Sequence, residues 1–316
     1  MKETIGISAT LVMIFAGTLP AADSRLVGLV MPNATVIAGV NVTQARTSPF
    51  GQYVLTMMSP HDQQLQALAT LTGFDPRQDV SELLLATSGG KGSATGLVLA
   101  RGTFNVGTLT AAAALAGATT ETYKDIAIVE MPKASQGAAF LDATLAILGD
   151  VASIKGAIDR QSPSAQHLGA SLIAQIGQLS GANDAWVLTT VSPAGLTLPS
   201  AAPSVPGLNL PVLQQIQQAS AAVKFGASVT VTAQARLDTP QNATTLAGML
   251  QLLANMAQMQ AQKAPEAAAL AQSLTFSAEG TAVSASFSLP EAQLQQLMQS
   301  RQQEHKASKV GLKRMQ

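Results

Sequence analysis

The chain has no cysteine. That absence removes disulfide scaffolds, thiol catalysis, cysteine-ligated metals and a cysteine-linked lipid anchor together. Aromatic residues make up only 3%, so a core has to be packed from Ala, Leu, Val, Ile and Met. Charged residues are 11%, against roughly 25% in an ordinary soluble domain. They cancel to a net charge of +0, which offers no electrostatic footprint for nucleic acid. Histidine is almost as scarce. His61, His167 and His305 are the full set, and no two stand at the i, i+4 spacing with which a helix grips a metal. The reading is of no catalytic residue, no metal site and no cofactor, and so of a protein that is not an enzyme.

What the chain has in quantity is apolar material, 47% of 316 residues. That is enough for one large domain or two ordinary ones. Its first residues read as a targeting segment. Lys2 precedes an apolar run from Ile5 to Leu19, and Pro20-Ala21-Ala22 supplies the small residues a signal peptidase accepts. Residues 1–22 are expected to be a signal peptide cleaved near Ala21 or Ala22, with the chain exported to the periplasm or the exterior. The run is also near the lower limit for spanning a bilayer, so an uncleaved anchor is the competing reading. No later stretch is apolar and long enough to cross a membrane.

The stretch that organises the rest is GAAFLDATLAILGDVASIKGAIDR, Gly137 to Arg160. Ala138–Leu141 and Thr144–Leu148 are short apolar runs around Asp142-Ala143, which predicts a hairpin. Gly149 ends the second strand, and Asp150 is placed to cap a helix. Val151, Ile154 and Ile158 then share one stripe. Upstream, TVIAGVNV (35–42) predicts a buried strand. Ser48-Pro49 predicts a helix with Phe50, Tyr53, Val54, Met57 and Met58 on one face. Ser59-Pro60 and Asp62 open another, carrying Leu65, Leu68 and Leu71 and stopped by Gly73. Residues 81–87 and 96–100 read as a strand pair. An alanine-rich helix ending at Gly117 and a strand over 123–130 follow.

Beyond Arg160 the expected order is a helix over 167–179, a strand over 185–191 and a proline-rich stretch over 192–211 that reads as a surface excursion, a lid or a linker. A short helix over 212–219 precedes one long strand over 223–237, whose section SVTVTAQARL alternates as a sheet with one wet face does. The longest helix runs from Pro240 to about Gln262. After a break at Pro265, strands 274–279 and 282–289 turn on Gly280, and Pro290-Glu291 opens a last helix. Gly96–Arg160 and Ser228–Gln303 share an order of strand, helix, hairpin and helix, which predicts an internal duplication. The expected fold class is α+β: two related halves, mostly antiparallel sheets with helices packed on one face. The halves are placed at 23–162 and 163–303, with 304–316 a basic disordered tail.

The combination of MPNATVIAGVNV, SPFGQYVL, GFDPRQDV, GLVLARGTF and AAFLDATLAILGDVASIKGAIDR resembles an uncharacterised group of exported bacterial proteins, over about Leu26 to Arg160. The resemblance implies export and a duplicated α+β architecture. It supplies no catalytic residues.

The motifs that hint at chemistry dissolve on inspection. Ser88-Gly89-Gly90-Lys91-Gly92-Ser93 lacks the Gly-Lys-Ser/Thr and following helix of a phosphate-binding loop. Ser88 and Lys91 have a Ser-x-x-Lys spacing, but three glycines in five residues oppose the helix that motif needs. Asp75, Asp79 and Glu82 form an acidic cluster without calcium-loop spacing. What remains is an apolar surface on the long helix, where Met249, Leu253, Met256 and Met259 are the candidate ligand-binding residues, since methionine-rich faces suit adaptable binding. Core packing is the competing reading of that stripe. The tail sets Arg301, Lys306, Lys309, Lys313 and Arg314 against Glu304 alone, so it could touch anionic membrane or envelope polymer. The functional expectation is a non-enzymatic binding or interaction module of the bacterial envelope, with a protein or apolar ligand as partner. A lipid carrier is the first alternative. A hydrolase using Ser88 or Ser93 with a distant His and Asp is the second.

Overall fold

The computed structural model describes residues 21–52, 62–89, 95–131, 136–192, 214–260 and 273–294. Residues 1–20 of the expected leader, the Tyr53–Met58 face, the Ser59-Pro60 helix start and most of the glycine-rich loop fall outside them. So do the loop over 193–211, the Pro265 break, the last helix beyond residue 294 and the tail.

One antiparallel sheet of twelve strands runs through the molecule. The N-terminal half supplies α1 (Ser24–Gly28), β1 (Val36–Asn41), α2 (Val42–Thr47), α3 (Asp62–Thr72), α4 (Pro76–Asp79), β2 (Val80–Ser88) and β3 (Thr95–Gly102). It continues with α5 (Val106–Leu115), β4 (Thr119–Tyr123), β5 (Ile126–Met131), β6 (Gln136–Asp142), β7 (Leu145–Gly149) and α6 (Val151–Asp159). The C-terminal half supplies α7 (Ala170–Ala182), β8 (Ala185–Thr189), β9 (Ile216–Lys224), β10 (Ser228–Leu237), α8 (Pro240–Gln260), β11 (Thr275–Glu279) and β12 (Ala282–Pro290). The fold class is α+β, and the two expected sheets are one.

The strand order is β11-β12-β10-β9-β8-β1-β2-β3-β7-β6-β5-β4. It reads outward in the same way from the middle. In each half three strands meander, a helix crosses over, and a later strand returns to pair with the third: β7 with β3, β12 with β10. The first strands of the halves, β1 and β8, pair antiparallel at the centre. That arrangement is a two-fold relation normal to the sheet, with β4 and β5 as an addition to one half. Arg101 and Arg236 hold equivalent places, each opposite the first residue of the returning strand, Leu145 and Ala282.

The core lies mainly on one face of the sheet. Ile37, Leu84, Leu97, Leu99, Ala139, Ile147, Trp186 and Leu188 point there and are buried under α1, the turn after it, α6 and α7, which bring Leu26, Val30, Ile154, Ile158 and Ile176. Helices also take the other face. Phe104, Val106 and Leu109 pack on Val80, Ala100 and Ala146, and α8 packs on Leu237 and Val283. The helices therefore lie on both faces, because the central strands β2, β3 and β7 are apolar on both.

Local chemistry explains the joints. Asp150 accepts from the Ser153 N–H at 2.8 Å and caps α6. A Cβ at Gly149, whose φ is +157°, would stand 2.4 Å from the Gly96 carbonyl oxygen, so only glycine lets β7 end against β3. Asn41 accepts from the Gln44 N–H at 3.0 Å and starts α2 directly from the end of β1. The single strand expected over 123–130 is two, β4 and β5, turned by Lys124 and Asp125 at φ +48° and +63°. The short helix expected over 212–219 and the long strand after it are instead β9 and β10. Ala-rich IQQASAAVK is held extended because β8 and β10 pair with it on either side, and tertiary pairing outweighs helix propensity.

Candidate functional site

α8 is 21 residues long and contains no Asp, Glu, Lys or Arg. Its inner side is core: Ala243 and Leu246 are buried against Leu237 and Val283, with Ala247, Met249 and Leu250 packed beside them. Its far side is not. Leu252, Met256 and Met259 follow at i, i+4 and i+7 and remain 60%, 48% and 77% exposed. A helix apolar on two sides has one stripe more than its own sheet can cover. The four candidate residues are therefore divided. Met249 belongs to the core, Leu253 is half-buried between the two sides, and Met256 and Met259 lie on the outer stripe. Leu252 completes that stripe and was legible only through its spacing to the two methionines.

The sheet face opposite α8 differs between the halves. In the N-terminal half it carries Leu97, Leu99, Ala139 and Ile147 beneath α6. At the equivalent places the C-terminal half carries Thr232, Gln234, Ser277 and Ser284, as the pairings of β3 with β7 and of β10 with β12 establish. The wet face expected for SVTVTAQARL is this one. Its hydroxyls bond sideways across strands: Thr275 to Ser286 at 2.9 Å and Thr230 to Ser288 at 3.0 Å. Thr232, Gln234, Thr275, Ser284 and Ser286, with Leu179 of α7, line a groove of about 320 Å³. Beside it, the Gln218 amide donates to the Gln175 carbonyl at 2.9 Å. This surface offers neutral donors and acceptors and no nucleophile with a base.

The residues weighed for catalysis stand apart. Ser88 Oγ shares a hydrogen bond with Thr95 Oγ1 at 2.7 Å. His167 places its two ring nitrogens at backbone carbonyls, Gly28 O at 3.3 Å and Ser162 O at 3.2 Å. Ser93, His61 and His305 lie outside the described residues. The acidic cluster is also divided. Asp75 accepts from the Arg77 backbone and side chain, which holds its carboxyl below the ordinary range. Asp79 accepts from the Asp75 N–H at 2.7 Å, while Glu82 turns to the other face. Among the described residues, no three His, Asp or Glu side chains converge on a point where a metal could bind.

Two charged clusters flank the N-terminal core. Under α1, Glu82 accepts the Asp23 backbone N–H at 3.2 Å on each carboxylate oxygen, and Arg101 lies 3.1 Å from the Asp23 carboxylate. Burial pushes the Glu82 carboxyl up to about 7. Near β4, Asp159 takes Lys124 at 2.6 Å and the Tyr123 hydroxyl at 3.0 Å, and Lys155 reaches Glu121 at 2.7 Å. These bonds lower the Asp159 carboxyl and raise the Tyr123 phenol, as a surface ion-pair network does.

The fold and these surfaces define a class: a duplicated, helix-covered antiparallel sheet with an uncovered apolar helix side. No family model and no curated protein matches the chain. Solved structures do share its fold. Crystal form III of TP0453, a treponemal protein, superposes with a TM-score of 0.55 at 10% identity, over 87% of this chain and 97% of that one. Crystal form I gives a TM-score of 0.54 at 9% identity, over 88% and 98%. Crystal form IV gives 0.52 at 8%, over 86% and 95%. At such identities the likeness is one of fold.

Proposed function

We propose that the protein is a non-enzymatic binding module of the bacterial envelope that meets an apolar partner through the outer stripe of α8. The observation that carries this reading is the stripe itself. Leu252, Met256 and Met259 stand exposed in helical register on a segment free of charge. Exposed apolar residues in isolation are ordinary, whereas a contiguous row of them on a helix marks an interaction surface. Methionine suits it, because its flexible, polarisable side chain adapts to partners of differing shape. The reading is supported by the side of α8 on which the row lies, away from Leu237 and Val283, which engage the inner side.

Site-specific photo-crosslinking tests the reading. A photoreactive residue at Met256, installed in the exported protein in its native cell, should give one dominant adduct, protein or lipid. The same residue at Gln241, polar and exposed at the start of α8, should not. Equal, diffuse labelling from both positions would defeat the proposal.

A further inference from the structure

The residues on either side of the expected leader's end are bound into the core. The Ala22 N–H donates to Ser180 Oγ at 2.8 Å, and the next N–H, that of Asp23, is shared at 3.2 Å by both oxygens of Glu82. Around that point stand two carboxylates, Asp23 and Glu82, and one nearby guanidinium, Arg101. Arg25 is engaged elsewhere, with Asp142 at 2.6 Å. The socket is one positive charge short, and it is short at a backbone nitrogen that follows Ala21-Ala22, the small residues a signal peptidase accepts.

We propose that the Ala22–Asp23 bond is the processing site and that the α-ammonium of Asp23 is the missing cation, pairing with Glu82. The inference rests on the export reading and adds the bond, the residue and its consequence. Water adds across the amide as the chain emerges, before α1 docks. Ala22 departs with the leader as a carboxylate, and the Asp23 nitrogen takes up a proton to become –NH3+. An amide N–H facing a half-buried carboxylate becomes an ammonium facing it. The amide bond to the carboxylate is charge-assisted on one side only; the ammonium carries a full opposite charge and offers three N–H donors in place of one. Burial, which raises the Glu82 carboxyl to about 7 beside an amide, is then offset by a counter-charge. Ser180 loses the Ala22 N–H and keeps its own bond to the Ile176 carbonyl at 2.7 Å. Cleavage therefore fastens α1 to β2, and the processed chain is more stable than the precursor.

The first arm of the test is N-terminal sequencing of the protein recovered from the envelope of its native cell. Asp23 as first residue supports the proposal, and Ala22 or any later start overturns it. An intact leader overturns the export reading along with it. The second arm needs no export. Chains prepared to begin at Asp23, or at Asp23 preceded by Gly-Ser, are melted at pH 7 beside their Glu82→Gln counterparts. The native start should melt several degrees higher than the extended one, and the gap should close in the Glu82→Gln pair. Selective acetylation of the Asp23 amine should lower the melting temperature by a similar amount without altering Glu82. Equal melting of native and extended chains, or a gap that persists in Glu82→Gln, would overturn the ion pair whatever the cell does.

Discussion

Gly39 sits at the seam of the duplicated sheet, and replacing it with alanine tests how the halves are joined. Its strand, β1, pairs with β8, and Gly39 stands opposite Trp186, the single tryptophan of the chain. The indole lies across the glycine. A Cβ at position 39 would stand 2.6 Å from Cε2, Cζ2 and Nε1 of that ring, about 1 Å inside ordinary carbon contact. Trp186 is buried among Ile37, Leu188 and Ala222, so the ring has no free space into which to swing. Overpacking of this kind costs about 1–3 kcal/mol, a loss of several degrees for a chain of this size. The assay is urea unfolding followed by far-ultraviolet circular dichroism in the Trp186 and Trp186→Leu backgrounds alike, with tryptophan emission added where Trp186 is present, since it is the residue under strain. Gly39→Ala should lower the midpoint and shift the native emission. In a Trp186→Leu background, where the ring is gone, the same substitution should cost much less. An unchanged midpoint, or an equal cost in both backgrounds, would refute the account of the seam.

Other predictions follow from individual contacts. Asp150→Ala removes the cap that holds the Ser153 N–H and hydroxyl, and should cost about 1 kcal/mol in the same unfolding assay. Asp184→Ala strips a buried carboxylate from Lys224 at 3.0 Å and from the Phe225 N–H at 2.7 Å, and should cost about 1–3 kcal/mol. For a chain extended before Asp23, Glu82 holds its proton more tightly folded than unfolded, since 7 lies above the ordinary 4.5. Stability should therefore fall as pH rises from 4.5 to 7 and level off above it, and Glu82→Gln should remove that slope in melting curves. Asp142 behaves oppositely. Its bonds to Thr144 and then Arg25 hold it at about 2, so its contribution is present above the ordinary carboxylate range and fades as pH falls towards 2. Asp142→Asn should flatten the acid limb of the stability profile.

The halves were legible because each is punctuated by strong local signals. Asp150 caps, Gly117 and Gly280 adopt positive φ at turns, and the hairpin around Asp142 and Ala143 is written in two short apolar runs. The joining of those halves into one sheet was not legible. It depends on β1 meeting β8 across 149 positions of sequence between Val36 and Ala185, a pairing with no local trace. The Lys124-Asp125 turn was missed because neither residue is the glycine or asparagine that announces positive φ. β9 was missed because alanine-rich segments favour helix until neighbouring strands claim their backbone. On α8 the sequence showed an apolar stripe without distinguishing its two sides. Only the position of Leu237 and Val283 against Leu246 tells which methionines face the sheet. The polar groove was half legible: alternation in SVTVTAQARL announced a wet face, and the matching serines of β12 needed the register to join it.

The most direct test of the binding account is a titration of an apolar fluorescent dye against the wild type and the Leu252→Gln, Met256→Gln, Met259→Gln triple variant. These side chains are largely exposed, so the variant should keep the wild-type melting temperature and circular dichroism. The account predicts that the variant loses most of its dye binding and its photo-crosslinked adduct together. Full dye binding in the folded variant would contradict the claim that the outer stripe of α8 is the protein's binding surface.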